Sequence, residues 1–492
     1  MSTPLNVIYI LTDQHRWNAL GCYGNRIVQT PHIDRLADEG VRFLHAYTPT
    51  AICGPARASL FTGMFPVAHG VQINAERSSR QNGDNIAPGI KKIPDYIPGY
   101  DYFHLGKWHA EASTVPSDYG AVGHDFDGYG FPGSKVYQNF VFASAPTKEN
   151  RYVHWLQEKG FETPTVSESF FGKNPHLRVQ ELYGKLSGPA EAAIPFFIVD
   201  EAITRLTSRQ NPEKPFFMSV NFWGPHTPCV IPEPYYSMYN PQSIPEDPAF
   251  AAGISGKPLH FEHISKMWGV HNLTWPEWQN IIARYYGYIT MIDDAIGRLI
   301  NALQTKDLYD NTLLIFTADH GDAMGAHKLI EKGEFMYDTC YRIPLIARHP
   351  QHAKMGQVCD KFVYLHDLCP TLAEIATGAA PDMQGQSQSI LGLIRGDEEG
   401  SDSRDFVYGE CTAHFSAFPQ RMVRTKTHKL IFNASSRGEL YDMLADPYEI
   451  ENKIDDPALA GVKRELIDQL IIQMELLHDP LVRWLKRIQG FY

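Results

Sequence analysis

Three apolar runs of strand length break off abruptly into polar residues, and this pattern limits the architecture more than any other feature of the chain. Asn6 to Leu11 reads Asn-Val-Ile-Tyr-Ile-Leu and runs straight into Thr12, Asp13, Gln14 and His15. Pro215 to Asn221 ends ahead of His226, and Leu313 to Thr317 ends ahead of Asp319 and His320. Apolar runs without alternation belong to strands covered on both faces. Between the last two, Trp278 to Leu303 carries Ile282, Ile289, Ile292, Ile296 and Leu299 on one helical stripe. Pro31 to Glu39 has helical spacing that stops at Gly40, and Val41 to Ala46 and Tyr102 to Leu105 read as further strands. The expected fold class is α/β, a large, mainly parallel but mixed sheet sandwiched by helices.

After about residue 400 the texture changes. Met422 to Thr425, Lys429 to Phe432 and Glu439 to Tyr441 are short strand-like segments, followed by helical spacing over 458–477. The expected division is a catalytic domain over 1–400 and a small C-terminal antiparallel-sheet subdomain over 401–492. Residues 110–175 and 229–275 are rich in Gly, Pro and aromatics, with weak periodicity, and read as insertions over the site. Their Trp155, Tyr235, Tyr236, Trp268 and Trp275 can stack on sugar or aryl rings, or can pack the loops. Leu481 to Tyr492 is cationic and aromatic, suited to docking on its own domain or on a neighbouring subunit.

A net charge of -12 over 492 residues argues against a nucleic-acid partner held through phosphates. No stretch approaches the roughly 20 apolar residues that cross a bilayer, so no membrane partner is expected. Met1 to Pro4 carries no basic segment and Leu5 to Leu11 is short, so a cytoplasmic location is the expectation. The seven cysteines are scattered, without Cys-x-x-Cys spacing, which indicates neither a disulfide framework nor a zinc ribbon.

In parallel sheets ligands bind beyond the carboxyl ends of the strands, where these polar clusters fall. An Asp at a strand end commonly caps a turn, and His320 before Gly321 and Asp322 can simply start a helix. Together, Asp13, Gln14, Asp319 and His320 offer an oxygen-rich set suited to Ca2+, Mg2+ or Mn2+. Lys107, in Gly106-Lys107-Trp108-His109, follows a strand, although a lysine there is commonly a solvated surface charge. His226 lies between Pro225 and Pro228, which stiffen its backbone, whereas Lys332 sits in a segment without periodicity. Cys53, in Cys-Gly-Pro-Ala-Arg, stands where a loop becomes a helix with Pro55 in its first turn. A helix start lowers a thiol's pKa and favours anions; the plain alternative is an inert buried thiol.

The run from Cys53 to Gly63 resembles the sulfatase signature Cys-x-Pro-Ser/Ala-Arg followed by Thr-Gly. The strand ending in Asp13, Gly-Lys-Trp-His, Gly-Pro-His-x-Pro, and Asp-His-Gly with a later His and Lys follow in that family's order. Glu439-Leu440-Tyr441-Asp442 with Asp446-Pro447 is similar to its small-domain ending. The resemblance implies an alkaline-phosphatase-like fold and hydrolysis of an aryl or carbohydrate sulfate. It implies that a maturation enzyme oxidises Cys53 to formylglycine, whose hydrate attacks sulfur beside one divalent metal, Ca2+ first, with Mn2+ or Mg2+ as alternatives. Asp13, Gln14, Cys53, Asp319 and His320 would hold that metal. Arg57 would orient the modified side chain, His109 would take a proton from it, and His226 and Lys332 would face the leaving oxygen. Lys107 and Lys332 would neutralise sulfuryl charge.

Gln14 and His320 stand where most sulfatases place Asp and many place Asn, and Ala56 replaces the commoner Ser. The Asp-Gln/Asp-His set also resembles phosphonate monoester and phosphodiester hydrolases of the same superfamily, which typically lack Gly-Lys-Trp-His. A third reading is a non-catalytic protein that binds metal and anions. Homo-oligomerisation is left open.

Overall fold

The computed structural model describes residues 5–74, 84–125, 151–173, 181–351, 355–397 and 404–491. The chain begins with β1 (Asn6–Asp13), β2 (Val41–Tyr47), β3 (Asp101–Gly106) and β4 (Val122–Asp125). It continues through β5 (Val166–Phe171), β6 (Glu181–Leu186), β7 (Phe216–Pro225) and β8 (Cys229–Pro232). Next come β9 (Thr312–Ala318), β10 (Arg342–Ile343), β11 (Leu345–Arg348) and β12 (Gln357–Tyr364). The last four are β13 (Phe406–Cys411), β14 (Gln420–Thr425), β15 (His428–Asn433) and β16 (Glu439–Asp442).

Among the described residues these strands make three sheets. The nine-stranded sheet runs β10-β2-β11-β9-β1-β7-β3-β4, with β12 also on β2. Its centre is parallel: Leu11 of β1 lies opposite Asn221 of β7 and Thr317 of β9. Only β10 and β11 pair antiparallel within it. All eight residues of β1 are buried, as the absence of alternation requires. Because β9, β1, β7 and β3 are parallel neighbours, their carboxyl ends open on one edge, where Asp319, Asp13, His226 and Lys107 follow.

The helix Trp275–Thr305 starts at a capping box between Thr274 and Glu277 and buries the expected Ile282, Ile289, Ile292, Ile296 and Leu299. Each such side chain contributes about 1.5–3 kcal/mol of transfer free energy. Its Tyr285 hydroxyl donates to Gln14 O and accepts from Arg16 N, both at 2.8 Å, fixing the turn after β1.

The four-stranded antiparallel sheet β13-β14-β15-β16 forms the C-terminal layer with the helix Ala460–Leu476. β13 carried no separate signal in the sequence. The layer is stitched to the large sheet: Glu410 N donates to Pro49 O at 2.8 Å, and Lys429 Nζ reaches Asp338 Oδ1 at 2.5 Å and Glu449 Oε1 at 2.6 Å. The terminal helix Val482–Ile488 docks on its own chain through buried Leu485 and a 2.8 Å bond from Trp484 Nε1 to Ala434 O. Tyr492 lies outside the described residues.

The first insertion carries β4, an edge strand of the large sheet, and the helix Arg151–Lys159; its residues 126–150 and 174–175 lie outside the described set. The five aromatics of the insertions pack. Trp155 lies against Tyr152 and Phe197, Tyr235 bonds Asp294 at 2.6 Å, and Trp268 meets Phe415. Tyr236 and Trp275 are half-buried against Tyr183 and Phe250. All seven cysteines are free, and no helix among the described residues is long and apolar enough to cross a membrane.

Candidate active site

Cys53 is the first residue of the helix Cys53–Thr62, all ten residues of which are buried. Its position is set from both ends. Gly54 N donates to Asn74 Oδ1 at 3.0 Å, and Gly63 closes the helix in the left-handed region. Phe61, from the same helix, meets Trp108 edge-on at 4.9 Å and so fixes the segment that carries Lys107 and His109. That segment leaves β3 at Gly106, whose φ is +89° and where a Cβ would stand 1.9 Å from Asn221 O.

Four donor residues converge. Asp13, Cys53, Asp319 and His320 each offer a ligand atom within 4.8 Å of the others, and all are buried. Cys53 Sγ lies 3.2 Å from His320 Nε2 and 3.7 Å from Asp13 Oδ1. His320 Nδ1 lies 2.8 Å from Gly321 O. A carbonyl only accepts, so Nδ1 carries a proton. Burial would lower the ring's pKa, but the Asp319 and Cys53 charges push it up to about 9. Nε2 is therefore protonated too, and would offer the cluster its lone pair once a cation displaced that proton. The expected alternative, a helix starting at His320, is absent; Gly321–Met324 is irregular. Burial and then the Asp13 charge push Asp319 above the ordinary carboxylate range. Two carboxylates and an imidazole lone pair in a dry pocket fit a divalent cation.

Arg57 ties the ends of three strands together. Its Nε donates to Asp319 Oδ2 at 2.8 Å, Nη2 to Asp13 Oδ2 at 3.1 Å, and Nη1 to Lys107 O at 3.0 Å. Lys107 Nζ pairs with Asp13 Oδ2 and sits 3.8 Å from the Trp223 ring centroid. Burial alone would raise Asp13, but the Lys107 and Arg57 charges hold it well below the usual range. The Cys53 thiol is likewise low despite its burial, because Lys107, Lys332 and His320 surround it with positive charge. His109, at φ 51°, is placed beside Cys53 and kept below its ordinary pKa by burial and Lys107.

On the opposite wall Lys332 Nζ has three partners: Gln14 Oε1 at 2.7 Å, His226 Nε2 at 2.8 Å and Glu331 Oε2 at 2.5 Å. His226 Nδ1 faces Thr227 O, so its Nε2 is the acceptor from Lys332. Gln14 is turned into this cluster as well. Its Nε2 reaches Asp322 Oδ2 at 2.5 Å and Glu331 Oε1 at 3.1 Å. Its amide oxygen thus meets the Lys332 ammonium, beside rather than among the four converging donors.

Sequence reasoning passed over Asp322, Glu331 and Asn74. Asp322 is buried, and burial followed by Glu331 pushes it up to about 6. The only signal for the pair was two acids, one just after Asp319-His320 and the other immediately before Lys332.

Residues 5–379 match the family described as Sulfatase, and residues 325–475 match N-sulphoglucosamine sulphohydrolase, C-terminal. The chain is 32% identical to the uncharacterized sulfatase YidJ of Escherichia coli strain K12, covering 96% of this chain and 88% of that protein. It is 31% identical to an arylsulfatase of Clostridium perfringens, over 91% and 90% of the two. The phosphonate monoester hydrolase of Agrobacterium radiobacter superposes with a TM-score of 0.77 at 25% identity, over 96% of each chain.

Proposed function

The chain belongs to the sulfatase family, and from that premise we propose that it hydrolyses sulfate esters at Cys53, converted to formylglycine by a maturation enzyme, with one divalent metal. The observation that carries this reading is the placement of Cys53 Sγ, 3.2 Å from His320 Nε2 within the set formed with Asp13 and Asp319. The side chain's oxygens would take the place of that sulfur. As a hydrate, it supplies one hydroxyl to attack sulfur and a second whose deprotonation releases sulfate. Asp13, Asp319, His320 and the modified Cys53 would hold the metal, which would supply Lewis acidity to the nucleophile and the sulfuryl oxygens. Gln14, whose amide oxygen meets Lys332 Nζ at 2.7 Å beside this set, would add a further oxygen donor. We assign Ca2+ first; an amide in place of a carboxylate admits Mn2+ or Mg2+.

The chain's own residues do the rest. Arg57 holds Asp13 and Asp319 by charge-assisted bonds, which keeps both carboxylates aimed. His109, kept neutral by burial and Lys107, accepts the proton of the second hydroxyl. Lys332 and His226, already hydrogen-bonded to each other, deliver a proton to the leaving oxygen. Lys107 and Lys332 offset the sulfuryl charge. The substrate is a carbohydrate or aryl sulfate; the similarity of residues 325–475 to N-sulphoglucosamine sulphohydrolase supports the former.

A second reading, phosphonate monoester hydrolysis, is favoured by Gln14 and by the 0.77 TM-score to such an enzyme. Lys107 and His109, both at Cys53, weigh for sulfate. Rates on 4-nitrophenyl sulfate and 4-nitrophenyl phenylphosphonate, using protein with verified Cys53 oxidation, decide between them. A clear preference for the phosphonate reverses the assignment.

A further inference from the structure

Asp322 is a buried carboxylate that the chemistry above leaves without a task, yet both of its oxygens are committed. Oδ1 accepts from Met324 N at 2.6 Å and from Glu331 N at 3.1 Å. Those N–H groups stand near the two ends of the loop that leads into Lys332. Ala323 N donating to Glu331 O and Gly325 N to Leu329 O, both at 2.9 Å, close the same loop. It needs such closure: Met324, His327, Lys328 and Glu331 have φ between 37° and 70°, a region that side chains disfavour. Oδ2 accepts from Gln14 Nε2 at 2.5 Å.

The Gln14 backbone is fixed independently of that bond. Its φ is 62°, its N–H donates to Asp319 Oδ1 at 3.1 Å, and its carbonyl accepts from the Tyr285 hydroxyl at 2.8 Å. What remains open is which way the terminal amide turns, since its two ends have similar shape and opposite polarity. Its charged neighbours decide. Nε2, with two hydrogens, meets Asp322 Oδ2 and Glu331 Oε1, the latter at 3.1 Å, while Oε1 meets the Lys332 ammonium at 2.7 Å. Turned over, the amide would set its oxygen against two carboxylates and its N–H groups against an ammonium. A carboxylate at position 14 would fail on the same side, having no hydrogen for Asp322 or Glu331.

We infer that Asp322 is a positioning residue that holds the Gln14 amide nitrogen, with Glu331 as second acceptor, so that the amide oxygen is the end offered to Lys332 and the metal. The inference rests on the metal-centre reading and adds to it a reason for Gln14. Asp322 and Glu331, rather than the cation, exclude the commoner carboxylate here. Because Asp322 also closes the loop before Lys332, one side chain sets Gln14 and Lys332 in register.

An exchange of polarity tests this. In Asp322→Asn the amide oxygen can keep the Met324 and Glu331 N–H groups while Nδ2 faces position 14. Adding Gln14→Glu then reverses one hydrogen bond at nearly constant shape and net charge. Wild type, both single variants and the double variant, each with verified Cys53 oxidation, are titrated calorimetrically with Ca2+, Mn2+ and Mg2+. Melting temperatures in chelator report the fold apart from the metal. For the cation that wild type binds most tightly, each single variant should bind about 10–100-fold more weakly. The double variant should regain about tenfold or more, so Gln14→Glu weakens binding beside Asp322 and strengthens it beside the new asparagine. A Gln14→Glu effect of the same sign in both backgrounds overturns the inference. Should Asp322→Asn fail to fold, Gln14→Glu decides alone: binding as tight as the wild type's, or tighter, overturns it. A wild type that binds none of the three cations overturns the metal-centre reading and the inference together. That is distinct from failure of the inference alone, in which wild type binds metal.

Discussion

Lys332 Nζ stands 2.7 Å from Gln14 Oε1, so the amide that replaces the commoner second carboxylate already faces a cation. This bond couples the metal side of the pocket to its leaving-group side. Gln14→Ala removes one acceptor from Lys332 and the shared donor of Asp322 and Glu331. Apparent Ca2+ affinity, read from turnover against free Ca2+, is expected to weaken about 10–100-fold. An unchanged titration would mean that Gln14 only packs.

The pairing of Lys332 with His226 at 2.8 Å predicts strong non-additivity. Each alanine variant should lower kcat about 10²- to 10⁴-fold, the scale of general acid catalysis. The double variant should fall little below the worse single one, because the two act as a unit. Losses that multiply would assign them separate tasks.

Cys53→Ala should abolish turnover and leave the melting temperature close to that of the wild type. Alanine at this helix start removes only a small thiol from a wall built by its neighbours. Active protein should have an intact mass about 18 Da below the thiol form, or regain roughly one water as the hydrate. Full activity in protein whose Cys53, once denatured, is still fully alkylated as a thiol rules out formylglycine.

Glu410 gives the fold a pH dependence that is separate from the reaction. Its Oε1 accepts from Val67 N at 3.3 Å, and Oε2 stands 3.8 Å from Arg421 Nη2. Burial outweighs Arg421 and pushes the carboxyl up to about 8 from an ordinary 4.5. The folded state therefore holds an extra proton between these values, and stability falls as pH rises through them, by up to about 1.4 kcal/mol per pH unit. Glu410→Gln mimics the neutral acid. Its melting temperature should match the wild type near about pH 5 and exceed it near about pH 9. Parallel curves for the two proteins would refute this.

The strand-end clusters were legible because a strand buried on both faces leaves no room for polar residues until it ends. That rule placed Asp13, His226 and Asp319 on adjacent parallel strands, and the signature run placed Cys53 and Arg57. Gln14 was harder: spacing brought it to the pocket, but only the fold shows that its amide turns to Lys332, Asp322 and Glu331. The aromatics of the insertions were ambiguous because an indole that packs and one that binds look alike in sequence.

Every residue of the helix Cys53–Thr62 is buried, and part of the wall around it comes from the helix Leu368–Thr377, whose Cys369 thiol reaches Phe61 O across 308 residues of chain. Any enzyme that oxidises Cys53 must therefore reach it while the chain is still open. Maturation and folding compete in time, and a chain that closes first is locked as a well-folded, inert thiol form. Specific activity of a preparation would then report the history of its synthesis as much as the quality of its site.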